Sequence, residues 1–267
     1  MIGSVGIQTS SALSSVLFDS VGPVSVASLR LALAALILLV VLRPKIRGLG
    51  RAYWISSVVH GVSMAAMNIC LYSAIERIPL GIAVTLEFLG PCAVSVALSR
   101  RISEALWAII ALVGVVLVAG PGGYFDLVGF AFAAGAGSCF AIYTLFSERV
   151  GKCDSGSSGI ALSASVAAVA SLPFSLTEAA TVSVHQWMIL AITALIGVAI
   201  PYTLDIRAAR ASSARIIGTL FSIDPAMASV VGWLALGEII EPYAIFGIAL
   251  VIIAGAAICM ADRRNDG

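Results

Sequence analysis

Residues 80–99, LGIAVTLEFLGPCAVSVALS, form an apolar run of 20 residues whose only charged side chain is Glu87. A helix needs about 20 such residues to cross roughly 30 Å of hydrocarbon. Nine other stretches of the chain are comparably long and apolar. We therefore predict an all-α membrane protein with ten transmembrane helices. The predicted spans are 1–18, 23–42, 53–74, 80–99, 105–121, 127–147, 158–177, 187–205, 215–236 and 243–261.

The overall composition agrees with this assignment. Hydrophobic residues make up 60% of the chain and charged residues 11%. In a typical soluble domain, about 45–50% of residues are hydrophobic and about 25% are charged. The lipid bilayer is thus the expected environment. A net charge of +1 gives no basic surface for nucleic acid. Five cysteines without a CxxC pair and two histidines predict packing residues, with no metal site and no cofactor.

The basic residues cluster in alternate connections between the spans. The connections after spans two, four, six and eight, together with the C-terminal tail, hold 13 of the 15 basic residues, and the opposite side holds only Arg77. Positive residues mark the cytoplasmic side, so we predict that both termini are cytoplasmic. The 13 residues are Arg43, Lys45, Arg47, Arg51, Arg100, Arg101, Arg149, Lys152, Arg207, Arg210, Arg215, Arg263 and Arg264.

An internal repeat is visible at a shift of about 134 residues, which places Pro91 on Pro225 and Glu104 on Glu238. Five spans per repeat is an odd number, so the second copy enters the membrane inverted. We predict a first repeat at 1–124 and a second at 125–267, an arrangement typical of secondary transporters. Since one chain contains both repeats, a monomer is sufficient for a complete pathway.

The first predicted span contains many polar residues, including Gln8 and several serines. It lacks the basic n-region of a secretory signal, so we interpret it as a retained helix that lines a cavity. The sequence leaves open whether the N-terminus is complete.

Glu87 lies near the middle of span four, where a charge costs roughly 2.5–3.5 kcal/mol on insertion scales. One interpretation is a protonated or ion-paired residue that packs helices together, and the other is a proton-exchanging group in a transport path. Pro91 favours the second because its ring clashes with the carbonyl of Glu87, four residues earlier. Gly90 adds backbone freedom. A loosened carbonyl beside a carboxylate would bind an ammonium group.

Two further charged residues lie inside predicted spans, away from the span ends. Asp224 precedes Pro225 and corresponds to Gly90 in the repeat, so it either stabilises a kink or belongs to the path. Arg30 lies in span two, where it either reaches the outer headgroups, pairs with a carboxylate, or binds the carboxylate of a substrate.

Uncharged polar residues complete the candidate path. Asn68 and Tyr72 share a face of span three, and Tyr202 aligns with Asn68 across the repeat, beside the helix-breaking Pro201. These side chains and Gln8 either line the cavity or bond across helices.

The stretch IERIPLGIAV at 75–84, followed by LEFLGP at 86–91, resembles the EamA branch of the drug/metabolite transporter superfamily, in particular its exporters of homoserine and threonine. The resemblance extends over essentially the whole chain. It implies ten helices in two inverted repeats, a central cavity, a bacterial inner-membrane location and export of amino acids or related metabolites by alternating access. Asp224 stands where such proteins often carry Glu before the proline, which leaves the substrate open. The other matching segments are Ile7-Gln8, 29–33, Met67-Asn68, 140–143, 218–220, 224–226 and 236–238.

We therefore predict a secondary exporter of small metabolites, such as threonine or homoserine, with proton antiport as the coupling hypothesis. One alternative is an exporter of another cargo, such as a drug, a nucleotide precursor or a lipid. The other is an intramembrane enzyme, but the chain has no GxSxG motif, and His60 and His185 are predicted at opposite sides of the membrane. No Walker A sequence occurs, and no residue is predicted to be catalytic.

Overall fold

The structure is a computed structural model that describes residues 2–44, 49–97, 126–153, 158–211, 224–239 and 241–263, with isolated positions between 106 and 117. All regular elements in these ranges are helical, and no strand occurs among them. The longer helices are α1 (Ile2–Ser15), α3 (Pro23–Leu42), α4 (Arg51–Ile75), α5 (Leu80–Ala97), α6 (Leu127–Cys153), α7 (Ser158–Ser171), α9 (Val184–Ala194), α10 (Ile200–Ala211), α11 (Asp224–Leu236) and α12 (Pro242–Arg263). Two single-turn helices, α2 (Phe18–Val21) and α8 (Leu176–Ala179), lie between them.

Four helical segments are long and apolar enough to cross a membrane: Pro23–Leu42, Arg51–Ile75, Leu127–Gly151 and Val184–Asp205. Shorter apolar helices occur at Leu80–Val94, Ser158–Phe174, Asp224–Leu236 and Pro242–Ala257. The all-helical membrane class is thus confirmed, while the count of ten helices stays a prediction. Most of span five, the first part of span nine, Glu104 and the repeat boundary at 124/125 lie outside the described residues.

Three predicted spans are divided. In the eighth span, the π-helical turn Leu195–Ala199 separates α9 from α10. The helix of the first span ends at Ser15, and α2 follows as a separate turn before Gly22, whose φ is 81°, and Pro23 start α3. In the seventh span α7 ends at Ser171 and a 3₁₀ turn, Leu172–Phe174, follows. Pro173 explains this ending because proline lacks the N–H that a continuing α-helix needs.

Helix α6 lies at the centre of the packing, in contact with both α4 and α5. The contact with α5 is made backbone to backbone: a β-carbon on Gly90 would overlap the carbonyl of Gly137, and one on Gly137 would lie 3.1 Å from the Glu87 carbonyl oxygen. Small residues permit such close helix approach in membranes. The pair therefore holds the Glu87 turn directly against α6.

Helices α5 and α11 are joined through Glu238, in the loop after α11. Its Oε1 and Oε2 accept the Leu80 backbone N–H at 2.9 and 3.0 Å. Gly237, with a φ of 65°, reverses the chain so that Glu238 N–H donates to the Gly232 carbonyl at 3.2 Å. Burial raises the pKa of Glu238, and the Leu80 N–H opposes that shift. The carboxylate thus caps a helix that begins after Pro79, which has no side-chain acceptor of its own.

Asp126 caps the start of α6 in a comparable way. Its Oδ1 accepts the backbone N–H groups of Val128 and Gly129 at 2.8 and 2.9 Å, and its Oδ2 lies 3.4 Å from Arg77. The Gly129 N–H is the largest cause of the lowered pKa of Asp126, with the Val128 N–H and Arg77 adding to it. These contacts tie the turn after α4 to the start of α6.

Candidate functional site

A small cavity lies where α1, α3, α4, α5, α6, α10 and α11 meet. Its volume is about 40 Å³, enough for roughly three water molecules. Six of the seven residues predicted for the path line it, and the seventh, Tyr72, contacts one of its walls. The lining residues are Ile7, Gln8, Ser11, Arg30, Met67, Asn68, Leu71, Glu87, Phe140, Tyr143, Tyr202, Asp205 and Asp224.

Arg30 is only 2% exposed and is held by uncharged partners. Nη1 donates to Ser10 Oγ at 2.9 Å and Nη2 to Asn68 Oδ1 at 2.7 Å. The guanidinium carbon lies 4.5 Å from the centroid of the Tyr72 ring, a cation–π contact. No described carboxylate lies within ion-pair distance of Arg30, and its Nε has no hydrogen-bond partner among the described residues. Of the three roles weighed from the sequence, reaching the headgroups and pairing with a carboxylate therefore find no support in the described residues.

Asn68 connects the two predicted repeats. Its Nδ2 donates to the Met64 carbonyl at 2.9 Å and to the Tyr202 hydroxyl at 3.0 Å. Asn68 and Tyr202 are 134 residues apart, the shift of the internal repeat. The Asn68 amide thus links Arg30 to the helix pair α9–α10.

Three carboxyl groups line the same cavity. Glu87 and Asp224 are 6% and 7% exposed, and Asp205 completes the group. Asp224 lies within electrostatic range of both other acids. Asp224 Oδ1 and Gln8 Oε1 are buried without a hydrogen-bond partner in the described part of the chain. Unsatisfied acceptors in a cavity are available to a ligand, a water or a proton.

Asp205 and Tyr143 were not predicted as site residues. The Tyr143 hydroxyl donates to Asp205 Oδ2 at 3.4 Å, and its ring stacks on His60 with centroids 4.4 Å apart. His60 Nε2 lies 2.9 Å from Ser147 Oγ. Asp205 was placed at the very end of predicted span eight, yet its spacing of three residues from Tyr202 puts both on one helix face. That spacing was the available signal.

The predicted helix breaks have different local structures. Pro91 lies inside α5, which is assigned as one helix from Leu80 to Ala97. Pro201 is the second residue of α10 and directly follows a π-helical turn, Leu195–Ala199. Pro225 is the second residue of α11.

The site therefore places one guanidinium and three carboxyl groups around a polar space buried in a membrane protein. Among the described residues, no group of three or more His, Cys, Asp or Glu side chains is placed to hold a metal ion. Ionisable side chains buried among helices long enough to cross a membrane are typical of a membrane transporter.

Comparison with known proteins agrees with this class. Residues 127–260 match the model of the EamA-like transporter family. The chain is 33% identical to the threonine/homoserine exporter RhtA of Escherichia coli K12, over 100% of this chain and 92% of that protein. It is 34% identical to the protein of the same name from Salmonella typhimurium LT2, over 99% and 91%. A crystal structure with 19% identity has the same fold, with a TM-score of 0.66 over 99% of this chain and 98% of that one.

The chain belongs to the EamA-like transporter family. This confirms the resemblance seen in the sequence, and it confirms that the protein is a transporter and not an enzyme. It also confirms a multi-pass membrane protein.

Proposed function

We propose that this protein is a secondary active transporter of the bacterial inner membrane that exports neutral amino acids, with threonine and homoserine first among them, by alternating access. The observation that carries the proposal is the cavity, in which Arg30 has no carboxylate partner among the described residues while three carboxyl groups lie on the other helices. The names of the two exporters to which the chain is similar support the same cargo.

A zwitterionic amino acid complements this distribution of charge. The substrate carboxylate binds the guanidinium of Arg30, whose planar fork suits a carboxylate. The ammonium group lies between Glu87 and Asp224, which are within electrostatic range of each other. Because about 40 Å³ holds only a few waters, the helices must separate for the substrate to enter. The described conformation corresponds to a closed state in this cycle.

The proposed transporter has ten helices in two inverted repeats, 1–124 and 125–267. The contacts of α3 with α7 and of α5 with α11 support it, since each joins helices that the repeat makes equivalent. The hydrogen bond between Asn68 and Tyr202 supports it in the same way. One chain then forms the whole pathway, so a monomer is sufficient.

Proton coupling completes the proposal. Glu87 binds either a proton or the substrate ammonium group, and this competition produces antiport when the site is exposed alternately to each side. Removal from water disfavours the charged form of a carboxyl group, which allows proton uptake during the cycle.

The proposed orientation places both termini and the arginine-bearing connections in the cytoplasm. In a background without native cysteines, Lys45→Cys is expected to resist a membrane-impermeant maleimide in intact cells and to react after the membrane is opened. Thr181→Cys, on the opposite side, is the control and is expected to react in intact cells. Labelling of position 45 in intact cells would overturn the orientation.

The cargo is tested by overproduction. Cells with the protein are expected to tolerate inhibitory concentrations of threonine or homoserine and to release the amino acid into the medium. Cells with the empty vector serve as the reference, and Arg77→Gln, in an exposed ion pair, serves as the matched variant with wild-type efflux. If the cells resisted unrelated compounds but released no amino acid, the proposed cargo would be wrong, and the protein would be an EamA-type exporter of another compound.

A further inference from the structure

The helix pair α9–α10 is joined by the π-helical turn Leu195–Ala199, and Gly197 is the middle residue of this turn. A π-turn inserts one extra residue and widens the helix, and such turns often occur at functional sites. This one faces α1 and α3. The turn therefore lies against the two helices that carry Ser10 and Arg30.

Gly197 is in direct contact with the residues that hold the guanidinium. A β-carbon at this position would overlap the Cβ and Oγ atoms of Ser10 and would lie 3.2 Å from Arg30 Nη1. Gly197 is itself buried. The Ser10 side chain thus occupies the place where any other residue at position 197 would have its β-carbon.

Ser10 connects the end of α9, just before the turn, to Arg30 by two hydrogen bonds. Its hydroxyl donates to the Thr193 carbonyl at 2.9 Å and accepts from Arg30 Nη1 at 2.9 Å. The direction of the hydroxyl is set because its one hydrogen is used by Thr193. The lone pairs of Oγ are then directed at the guanidinium. Ser10 Oγ therefore links three helices, α1, α3 and α9.

We propose that Gly197 is a positioning residue that, together with Ser10, sets the direction of the Arg30 guanidinium into the cavity and thereby the affinity for the substrate carboxylate. The proposal rests on the proposed function of Arg30. The π-turn brings its backbone directly against Ser10, and only a glycine at position 197 leaves room for the Ser10 side chain. Ser10 and Nη1 fix one edge of the guanidinium, while Asn68 holds Nη2.

Gly197→Ala in proteoliposomes is expected to raise the KM for threonine at least tenfold and to change kcat less than threefold, since a misdirected guanidinium weakens binding of substrate and transition state alike. Gly135→Ala is the matched control, because its β-carbon would meet only Cys70, at an ordinary 3.5 Å from Sγ. It is expected to keep wild-type kinetics. An unchanged KM in folded Gly197→Ala would overturn the proposal.

Non-additivity separates positioning from a general loss of structure. Ser10→Gly removes both atoms that the new methyl group would overlap, together with the acceptor of Nη1, so the double variant Ser10→Gly/Gly197→Ala is expected to have the same KM as Ser10→Gly alone. If the two substitutions raise KM additively, Gly197 does not act through Ser10 and the positioning role is wrong. Should Gly197→Ala fail to fold, Ser10→Ala adds no volume and removes the acceptor of Nη1. It is expected to raise KM roughly tenfold, and an unchanged KM there would equally count against the proposal.

A second readout does not depend on the cargo. Arg30 is almost fully buried, so phenylglyoxal is expected to modify it slowly in the wild type and at least threefold faster in Gly197→Ala, as followed by mass spectrometry. Equal modification rates would overturn the proposal. If the wild type exports neither threonine nor homoserine, the proposed function fails, and the modification rates still decide whether Gly197 positions Arg30.

Discussion

Arg30→Gln is expected to abolish amino acid efflux, and Arg30→Lys to raise KM by roughly 30-fold or more. Loss of one partner of a buried charged contact costs about 2–5 kcal/mol, and 1.4 kcal/mol is tenfold in affinity. Lysine keeps the charge but has no planar fork to contact Ser10, Asn68 and the substrate together. The measurement is the concentration dependence of threonine efflux from proteoliposomes.

A stability measurement distinguishes substrate binding from a structural role of Arg30. Burial of a charge without an opposite charge is unfavourable, so Arg30→Met is expected to retain or increase the thermal stability of the protein while transport is lost. Arg77→Gln, in the exposed pair with Asp126, is the control for loss of an arginine. Arg30 would be structural if Arg30→Met unfolded the protein and Arg30→Lys transported normally.

Glu87→Gln is expected to eliminate the response of efflux to an imposed pH gradient, because glutamine keeps the shape of the side chain and cannot release a proton. Exchange of labelled for unlabelled substrate needs no net proton movement and is expected to persist with a raised KM, because Glu87→Gln loses one of the two proposed contacts to the ammonium group. Both rates are measured in the same proteoliposomes, with the gradient applied in either direction.

Two comparisons make this result specific to Glu87. Glu178→Gln changes a partly exposed acid that does not line the cavity and is expected to leave the gradient response intact. Asp205→Asn and Asp224→Asn test the other acids of the cavity. If Glu87→Gln responds to the gradient as the wild type does, Glu87 is structural, and the acid whose removal eliminates the response is the proton carrier.

Much of the candidate site could be predicted because a polar side chain within an apolar run is conspicuous. Arg30, Asn68, Glu87, Tyr202 and Asp224 each interrupt such a run, and all five line the cavity. Asp205 was not conspicuous in the sequence, because it lies at the end of a predicted span, where acidic residues are common. Its role as a cavity residue depends on how far the helix extends and on the position of Tyr143.

The sequence alone determined the membrane class, the helical nature of the described chain and its resemblance to the EamA family. These follow from composition, apolar run length and local motifs, which are properties of neighbouring residues. Only the tertiary structure decided that Ser10 and Asn68 hold Arg30, with no carboxylate among the described residues in ion-pair contact, and that Gly197 lies against Ser10 and Arg30. Such contacts join residues 20 to nearly 190 positions apart. They depend on helix rotation and on a π-turn, which shifts every later side chain around the helix axis and has no signature in apolar periodicity.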